Sequence, residues 1–360
     1  MTQPTRVLVW QWGRFGSGPK IAVALADGLR ALPQVSVFLS LSDRAEIVLG
    51  PEPPHCDLSV ATYNNTIGVV GRLLLAPWTI PVLALRLRRI APDLAVCAMP
   101  GPIDLLMSAA LRLAGIRSVI LVHDADAHPG DAGRLQMWLQ RQLCRSANVL
   151  ASLSTHVGNR LREQGLIRGN GIALALPPMD YNVAPIVPHD GPLRLLHFGR
   201  LLPYKGLDLL ASSLAMLGAR ADLTVRIVGS GPESAELDAL RQLPNVTVEN
   251  RWVREDEIAG LLGWSDALIL PYREASQSGV ASMALAAGRA VVSTNVGGLK
   301  EQLANTDRAL LCNPTAGALA DAIVALLDGQ LALSGAHADA NAAWRDMAAS
   351  LLRQAELSRG

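Results

Sequence analysis

Lysine is scarce in this chain. Of 32 basic residues only Lys20, Lys205 and Lys300 are lysines, and arginine supplies the rest. Aromatic residues make up 4% of the sequence and the basic ones are scattered, which argues against a base-stacking platform and a nucleic-acid partner. The four cysteines (Cys56, Cys97, Cys144, Cys312) stand far apart with no C-x-x-C pair. That spacing excludes a disulfide frame or a cysteine-based zinc site and fits reduced core thiols in a cytosolic protein. Long apolar runs are missing as well. The longest, Leu73 to Leu85, contains Pro77 and Pro81 and is too short and too broken to span a bilayer. The opening Met-Thr-Gln-Pro-Thr-Arg runs directly into a strand-like segment, so no secretory leader is expected and the protein is expected in the cytoplasm.

Half of the 360 residues are hydrophobic and 18% are charged, the composition of a well-buried globular protein. A chain of this length is more than one core usually serves, so two domains are expected. The net charge of +1 is split unevenly, about +5 over residues 1–183 and about −4 over the remainder.

Strand-like runs alternate with helix-period segments. Arg6–Trp10, Val35–Ser40, Leu94–Ala98, Ser118–Val122 and Val149–Ser152 read as strands, with helices at Lys20–Leu32 and Leu105–Ala114. Five prolines between Leu176 and Pro192 mark a linker. The rhythm then restarts with strands at Leu193–Phe198, Leu223–Val228, Val246–Glu249, Ala267–Leu270 and Ala290–Thr294. Helices are expected between them, and a last helix from Asn341 to Glu356. The fold class is α/β, two doubly wound Rossmann-like domains facing across a cleft. The first spans 1–185, with the helix at 341–360 packing back on it, and the second spans 186–340.

Three loops of the second domain fall at predicted strand ends. In Gly199-Arg-Leu-Leu-Pro-Tyr-Lys-Gly206, Arg200 offers a planar fork and Lys205 a compact charge, a pair suited to a diphosphate. The plain alternative is two solvated loop charges. Gly229 and Gly231, in Val228-Gly-Ser-Gly-Pro232, permit close approach of a ligand, or simply turn a strand into a helix. Ser278 is placed to cap a helix Gly279–Ala287 whose first N–H groups, at Gly279, Val280 and Ala281, would point at an anion; it equally serves as a structural cap alone. The segment ending at Gly297-Gly298 reads as a helix end, a buried strand and a Gly-Gly turn.

The order and spacing of Gly199-Arg200…Lys205-Gly206, Val228-Gly-x-Gly-Pro232, Ser276-Gln-Ser-Gly-Val280 and Ala287-Gly…Val296-Gly-Gly-Leu299 closely resemble the GT-B glycosyltransferases of family 4, glycosyl transferases group 1. Those are retaining enzymes that use nucleotide-sugar donors. The resemblance implies that Arg200 and Lys205 hold the donor diphosphate, assisted by Gly199 and by the N–H groups of Gly279 and Val280. Asn250–Val253, including Arg251 and Val253, and the Gly229–Gly231 turn would flank the base. The family's pattern has two glutamates eight positions apart. Counted one way, Glu274 fits the first and Ser282 stands where the second belongs; counted back from Gly288, the two positions fall on Ala275 and Met283, and either way the second carboxylate is missing. The Ala275-Ser-Gln-Ser-Gly279 form resembles a variant branch in which Gln277 and Ser278 occupy the loop and a hydroxyl such as Ser282 meets the ribose.

In the first domain, His123 and Asp124 end the strand Ser118–Val122, and His128 lies on the same loop. Read alone, His123 is as well explained as a structural histidine. The resemblance implies that it contacts the transferred sugar, with Asp124 and His128 near the acceptor. The loop Gly13–Pro19 lacks the dinucleotide fingerprint and would pass for an ordinary turn. By resemblance Gly16 and Gly18 cover the diphosphate and Gly16 lines the acceptor site. Arg72 through Arg89 joins an apolar stretch to Arg86, Arg88 and Arg89, and reads either as a peripheral dock for an anionic membrane or as a core helix with a basic end.

These expectations add up to a retaining hexosyltransferase moving sugar from a UDP- or GDP-sugar to a glycan or lipid-linked acceptor, with no cofactor. No Asp-x-Asp pair stands beside the diphosphate loops, so no metal is expected. Transfer would be front-face, with cations and helix N–H groups stabilising the departing diphosphate. The alternatives are a sugar-nucleotide epimerase of the same architecture and a non-catalytic sugar-nucleotide-binding subunit.

Overall fold

The computed structural model describes residues 4–127, 134–167, 171–186, 189–333 and 337–357. The chain divides into two compact units. One holds residues 1–127, 132–175 and 341–360; the other holds 128–131 and 176–340.

In the first unit β1 (Thr5–Gln11), α1 (Ser17–Arg30) and β2 (Val35–Leu41) lead to three helices, α2 (Glu46–Leu49), α3 (Thr66–Leu74) and α4 (Ala76–Ile90). Then come β3 (Leu94–Cys97), α5 (Asp104–Ala114), β4 (Arg117–Val122), α6 (Arg134–Ser146), β5 (Val149–Ser152), α7 (Thr155–Glu163) and the short β6 (Ile172–Ala173). The strands pair in parallel in the order β2-β1-β3-β4-β5-β6. The β3, β4 and β5 segments are buried almost throughout and mainly apolar because helices cover both faces of such a sheet. Their core includes Leu8, Trp10, Ile120, Leu150 and, from the helices, Met107 and Leu87.

The second unit repeats the plan with β7 (Leu193–Phe198), α8 (Leu207–Leu217), β8 (Leu223–Gly229), α9 (Ala235–Arg241), β9 (Val246–Asn250) and α10 (Glu255–Trp264). It continues through β10 (Ala267–Leu270), α11 (Gly279–Ala286), β11 (Ala290–Thr294), α12 (Gly297–Leu303), β12 (Ala309–Cys312) and α13 (Ala316–Leu327). Its sheet is parallel in the order β12-β11-β10-β7-β8-β9. The strand order therefore reverses between β7 and β10 here, and between β1 and β3 in the first unit. Ligands of open α/β sheets bind at the carboxyl ends of strands at such points.

The last helix, α14 (Ala340–Leu357), belongs with the first unit. Gly28 of α1 lies against it so closely that a Cβ there would stand 2.6 Å from the Trp344 carbonyl oxygen. Two sequence expectations are corrected. Gly297-Gly298 is not a turn but the start of α12. A side chain at Gly297, with its φ of +47°, would meet the Ala275 carbonyl oxygen at 2.0 Å, so glycine is required by the close approach rather than by a chain reversal. The proline-rich segment is also not a free tether over its whole length. Arg289, 1% exposed, donates to the carbonyls of Leu262 and Ala184 and so straps residue 184 onto the second unit, where Val183 is buried.

Candidate functional site

The loop after β7 and the loop after β10 border the reversal point of the second sheet. The first turns at Gly199 and then makes a tight 3-10 turn at Pro203–Lys205. Gly206 closes it at a φ of +70°, where a Cβ would overlap the Pro271 carbonyl oxygen at 1.8 Å. The backbone amide of Arg273 donates to Tyr204, which ties the two loops together. Tyr204 and Tyr272 form a buried aromatic floor. The Lys205 ammonium sits 3.7 Å from the centre of the Tyr272 ring and 4.9 Å from that of Tyr204. Arg200 donates to the Tyr204 hydroxyl at 2.7 Å. Burial pushes the Tyr272 phenol up to about 12, the charge of Arg200 acts the other way, and the hydroxyl has no hydrogen-bond partner among the described residues. Arg200 and Lys205 share Tyr204 as a neighbour, and Gly199 lies against the start of α11, where a Cβ on it would stand 3.6 Å from Val280 Cγ2. Cations held over ring faces are attracted to them and keep a fixed direction.

The start of α11 is set by Ser278, whose hydroxyl accepts from the Ala281 amide at 3.2 Å. That amide is consequently committed to the cap, a correction to its expected place among the anion-facing groups. The amides of Gly279 and Val280 lie in the first turn, outside the intrahelical ladder, and both residues are partly exposed. Sequence reasoning missed Gln302 of α12, which clamps this turn. Its Oε1 accepts from the Ser278 amide at 2.9 Å, and its Nε2 donates to the Ser278 carbonyl at 3.0 Å and the Ser282 hydroxyl at 2.8 Å. Ser282 is buried and turned toward Gln302. It is not presented to a ribose, and that expectation is corrected. Glu274 is exposed on the loop, and the Gln277 side-chain carbonyl is buried without a partner among the described residues.

His197 was a second omission. It lies on β7, fully buried, with Nδ1–H donating to the Ile269 carbonyl at 3.1 Å and its ring edge toward Tyr272. Burial foremost, with a smaller part from the Lys205 charge, lowers its pKa to about 4, so the ring is neutral at neutral pH. Nothing in its neighbours along the sequence signals this, because the groups that bury it come from β10 and its loop.

Gly229 and Gly231 make room for protein rather than for ligand. A Cβ on Gly229 would stand 1.6 Å from the Gly199 carbonyl oxygen, and one on Gly231 would stand 2.0 Å from that of Leu201. These glycines let the loops after β7 and β8 lie backbone to backbone, with the Leu201 amide donating to Ser230. The Asn250 side chain pairs with both backbone groups of Gly231 at 3.1 Å and brings Arg251–Val253 beside that turn. Arg251 is bound to Glu249 and Glu257. Val253 is half-buried.

In the first unit, the loops after β1, β3 and β4 come together. The Gln11 side chain accepts from the Gly13 amide at 2.9 Å, and a Cβ on Gly18 would clash with it at 2.6 Å. Gly18 is thus accounted for by packing. Gly16, at a φ of +80° with open space around it, precedes α1. His123 is buried and its Nε2–H donates to the Ala98 carbonyl at 3.0 Å, which leaves Nδ1 unprotonated; burial lowers its pKa. Asp124 follows it, half-buried. His128 lies outside the described residues. Asp124 and Asp126 form an Asp-x-Asp pair in this unit, but Asp126 is held by Arg160 and Gln164. Among the described residues no group of three or more His, Cys, Asp or Glu side chains is placed to hold a metal ion. The buried Asp104 fixes the β3 loop by accepting from the Gly101 amide at 2.6 Å, and burial raises its pKa to about 7. A cavity of about 470 Å³ lies between α3 and the loop before it, with Arg44, Tyr63, Asn64 and Arg72 in its lining. Arg14 of the opening loop donates to the Asn64 carbonyl.

Comparison with known proteins agrees with this geometry. Residues 192–329 match the family model described as glycosyl transferases group 1, and residues 20–175 match that of glycosyltransferase family 4. The glycogen synthase of Mycobacterium tuberculosis is 29% identical over 62% of this chain, and the match spans 58% of that protein's length. The D-inositol 3-phosphate glycosyltransferase of an Arthrobacter strain is 33% identical over 38% of this chain and 35% of its own. The chain thus spans less than two thirds of the length of these relatives. Among solved structures, Anabaena HepE in complex with UDP has a TM-score of 0.67 at 15% identity, covering 99% of this chain and 98% of that one. Two parallel α/β units with this strand order, and family matches that between them take in most of the sequence, place the chain in the family 4, group 1 glycosyltransferases of GT-B fold.

Proposed function

We propose that the protein is a retaining glycosyltransferase that moves a hexose-type sugar from a UDP- or GDP-sugar to a glycan or lipid-linked acceptor, in cytoplasmic synthesis of a cell-surface polysaccharide or glycoconjugate. The observation that carries this reading is that Arg200 and Lys205 both lie over Tyr204, Lys205 also covers Tyr272, and Gly199 beside them packs on Val280 in the first turn of α11. A diphosphate there would meet a guanidinium, an ammonium and the amides of Gly279 and Val280. The difficult event is departure of the nucleoside diphosphate from the anomeric carbon, and these groups stabilise the charge that grows on it without reorganising. Arg200 and Lys205 supply the positive charge, so we propose a metal-independent step. The base would sit beside Arg251–Val253 and the Gly229–Gly231 turn. Glu274, exposed on the loop before α11, is assigned to the sugar or ribose. His123 is assigned to the transferred sugar, and the opening loop at Gly16 with the cavity it reaches through Arg14 to the acceptor. Names of relatives support a glycosyl donor: a glycogen synthase, an inositol-phosphate glycosyltransferase and a fold neighbour holding UDP.

A panel of UDP- and GDP-hexoses, each offered with and without acceptor glycans and lipids, tests the reading. Acceptor-dependent release of nucleoside diphosphate with an axial-for-axial product is expected. Conversion of donor alone into a second sugar nucleotide would establish the epimerase instead, and binding without turnover the non-catalytic subunit.

A further inference from the structure

The α3–α4 pair carries an inverted amphipathic pattern. One side of it packs into the first unit's core, with Ala84 and Leu87 buried and Val69, Leu73, Ile80 and Leu83 against the cluster. The opposite side should be polar in a surface helix, yet it is apolar. On α3 the exposed large apolar residues are Ile67, Val70 and Leu74; on α4 they are Trp78, Val82 and Leu85, with Leu75 at the junction and the exposed Arg86, Arg88 and Arg89 toward the helix end. Ile67 is 80% exposed and Trp78 is 68% exposed, values far from those of a satisfied core helix. The spacing i, i+4, i+7 puts Trp78, Val82 and Leu85 on one stripe, and Arg89 continues it toward the helix end. From Leu58 to Pro92 the chain holds Arg72, Arg86, Arg88 and Arg89 and not one Asp or Glu.

Among the described residues no single helix is long and apolar enough to cross a membrane, and α3 and α4 are bent by 73° to one another. With one side already fixed in the core, the pair is built to lie on a surface rather than to span one. A second copy of the chain fits less well, because residues 58–92 of a partner would offer no carboxylate to pair with these arginines. We propose that the α3–α4 face docks on an anionic lipid bilayer, its apolar stripe entering the headgroup boundary while Arg86 and Arg89 meet lipid phosphates. Docking of this kind stands apart from the donor site; that the same bilayer also carries the acceptor rests on the transferase reading.

The test is co-sedimentation of the full chain with phosphatidylcholine vesicles, with and without phosphatidylglycerol, at low and high salt. Wild type should partition onto the anionic vesicles and leave them at high salt. Trp78→Asp and the double variant Arg86→Gln/Arg89→Gln should each weaken partitioning about tenfold or more. All three side chains changed here lie outside the proposed donor site, so binding of UDP or GDP should be unaltered, which separates this proposal from the transferase reading. Equal binding to neutral and anionic vesicles, wild-type partitioning of either variant, or no vesicle binding together with a dimer that Trp78→Asp dissolves would each overturn it.

Discussion

His197 shows how one residue carries both the fold and the site. It stands one residue before Phe198 at the end of β7, donates to Ile269 of β10, and touches the ring that Lys205 covers. Its pKa is lowered to about 4 from an ordinary value near 6.5, first by burial. The folded state therefore binds fewer protons than the unfolded state between those values. The stability it contributes is complete above pH ~6.5 and is lost as the pH falls toward 4. His197→Asn keeps a donor for Ile269 and removes the titration. Thermal denaturation over this range should show a shallower acid decline for the variant, and parallel curves for variant and wild type would contradict the assignment. Residues such as Lys205 were legible in the sequence because a rare residue type stood beside a turn glycine. His197 was not, since the carbonyl it donates to lies 72 positions away on β10.

At the scale of elements, the site depends on a helix start held from outside. α11 has only eight residues, and Gln302 of α12 makes three hydrogen bonds to its first turn. Gln302→Leu conserves much of the volume and deletes all three. Buried hydrogen bonds lost without replacement cost ~1–3 kcal/mol, so nucleoside diphosphate affinity should fall about tenfold, as read by titration calorimetry. An unchanged affinity would show that the turn holds itself. Ten of the strands, with α1, α5 and α8 to α11, were readable from apolar runs and breaker residues, whereas α6, α7 and the two-residue β6 of the first unit were not. Three elements of the second unit were not. α12 opens on Gly297-Gly298, which in sequence is a turn signal, and β12 is a four-residue edge strand without a buried apolar run. α13 lacked a recognised start, although Thr315 caps it by accepting from Ala318. Gly229 and Gly231 carry the same lesson: a glycine needed for close approach does not say what approaches it.

At the scale of the molecule, one construction rule is used twice: six parallel strands, a reversal point, and loops gathered at its carboxyl edge. Both halves of the plan were legible in the βαβ rhythm, as were the proline segment and the closing helix. The strap from Arg289 to Ala184 was not, because it joins residues over a hundred positions apart. The uneven charge also has a place in the fold, since the basic excess of the first half includes the acid-free α3–α4 segment and the acidic excess belongs to the unit with the donor site.

The most direct measurement is titration calorimetry of UDP and GDP into the intact protein and its Lys205→Ala variant, with thermal denaturation to establish that the variant is folded. Loss of an ammonium that meets a diphosphate should weaken binding of the preferred nucleotide about 100-fold, which is ~2.7 kcal/mol, with the melting temperature of the free protein little changed. Equal affinities for wild type and a well-folded variant would contradict the account at its centre.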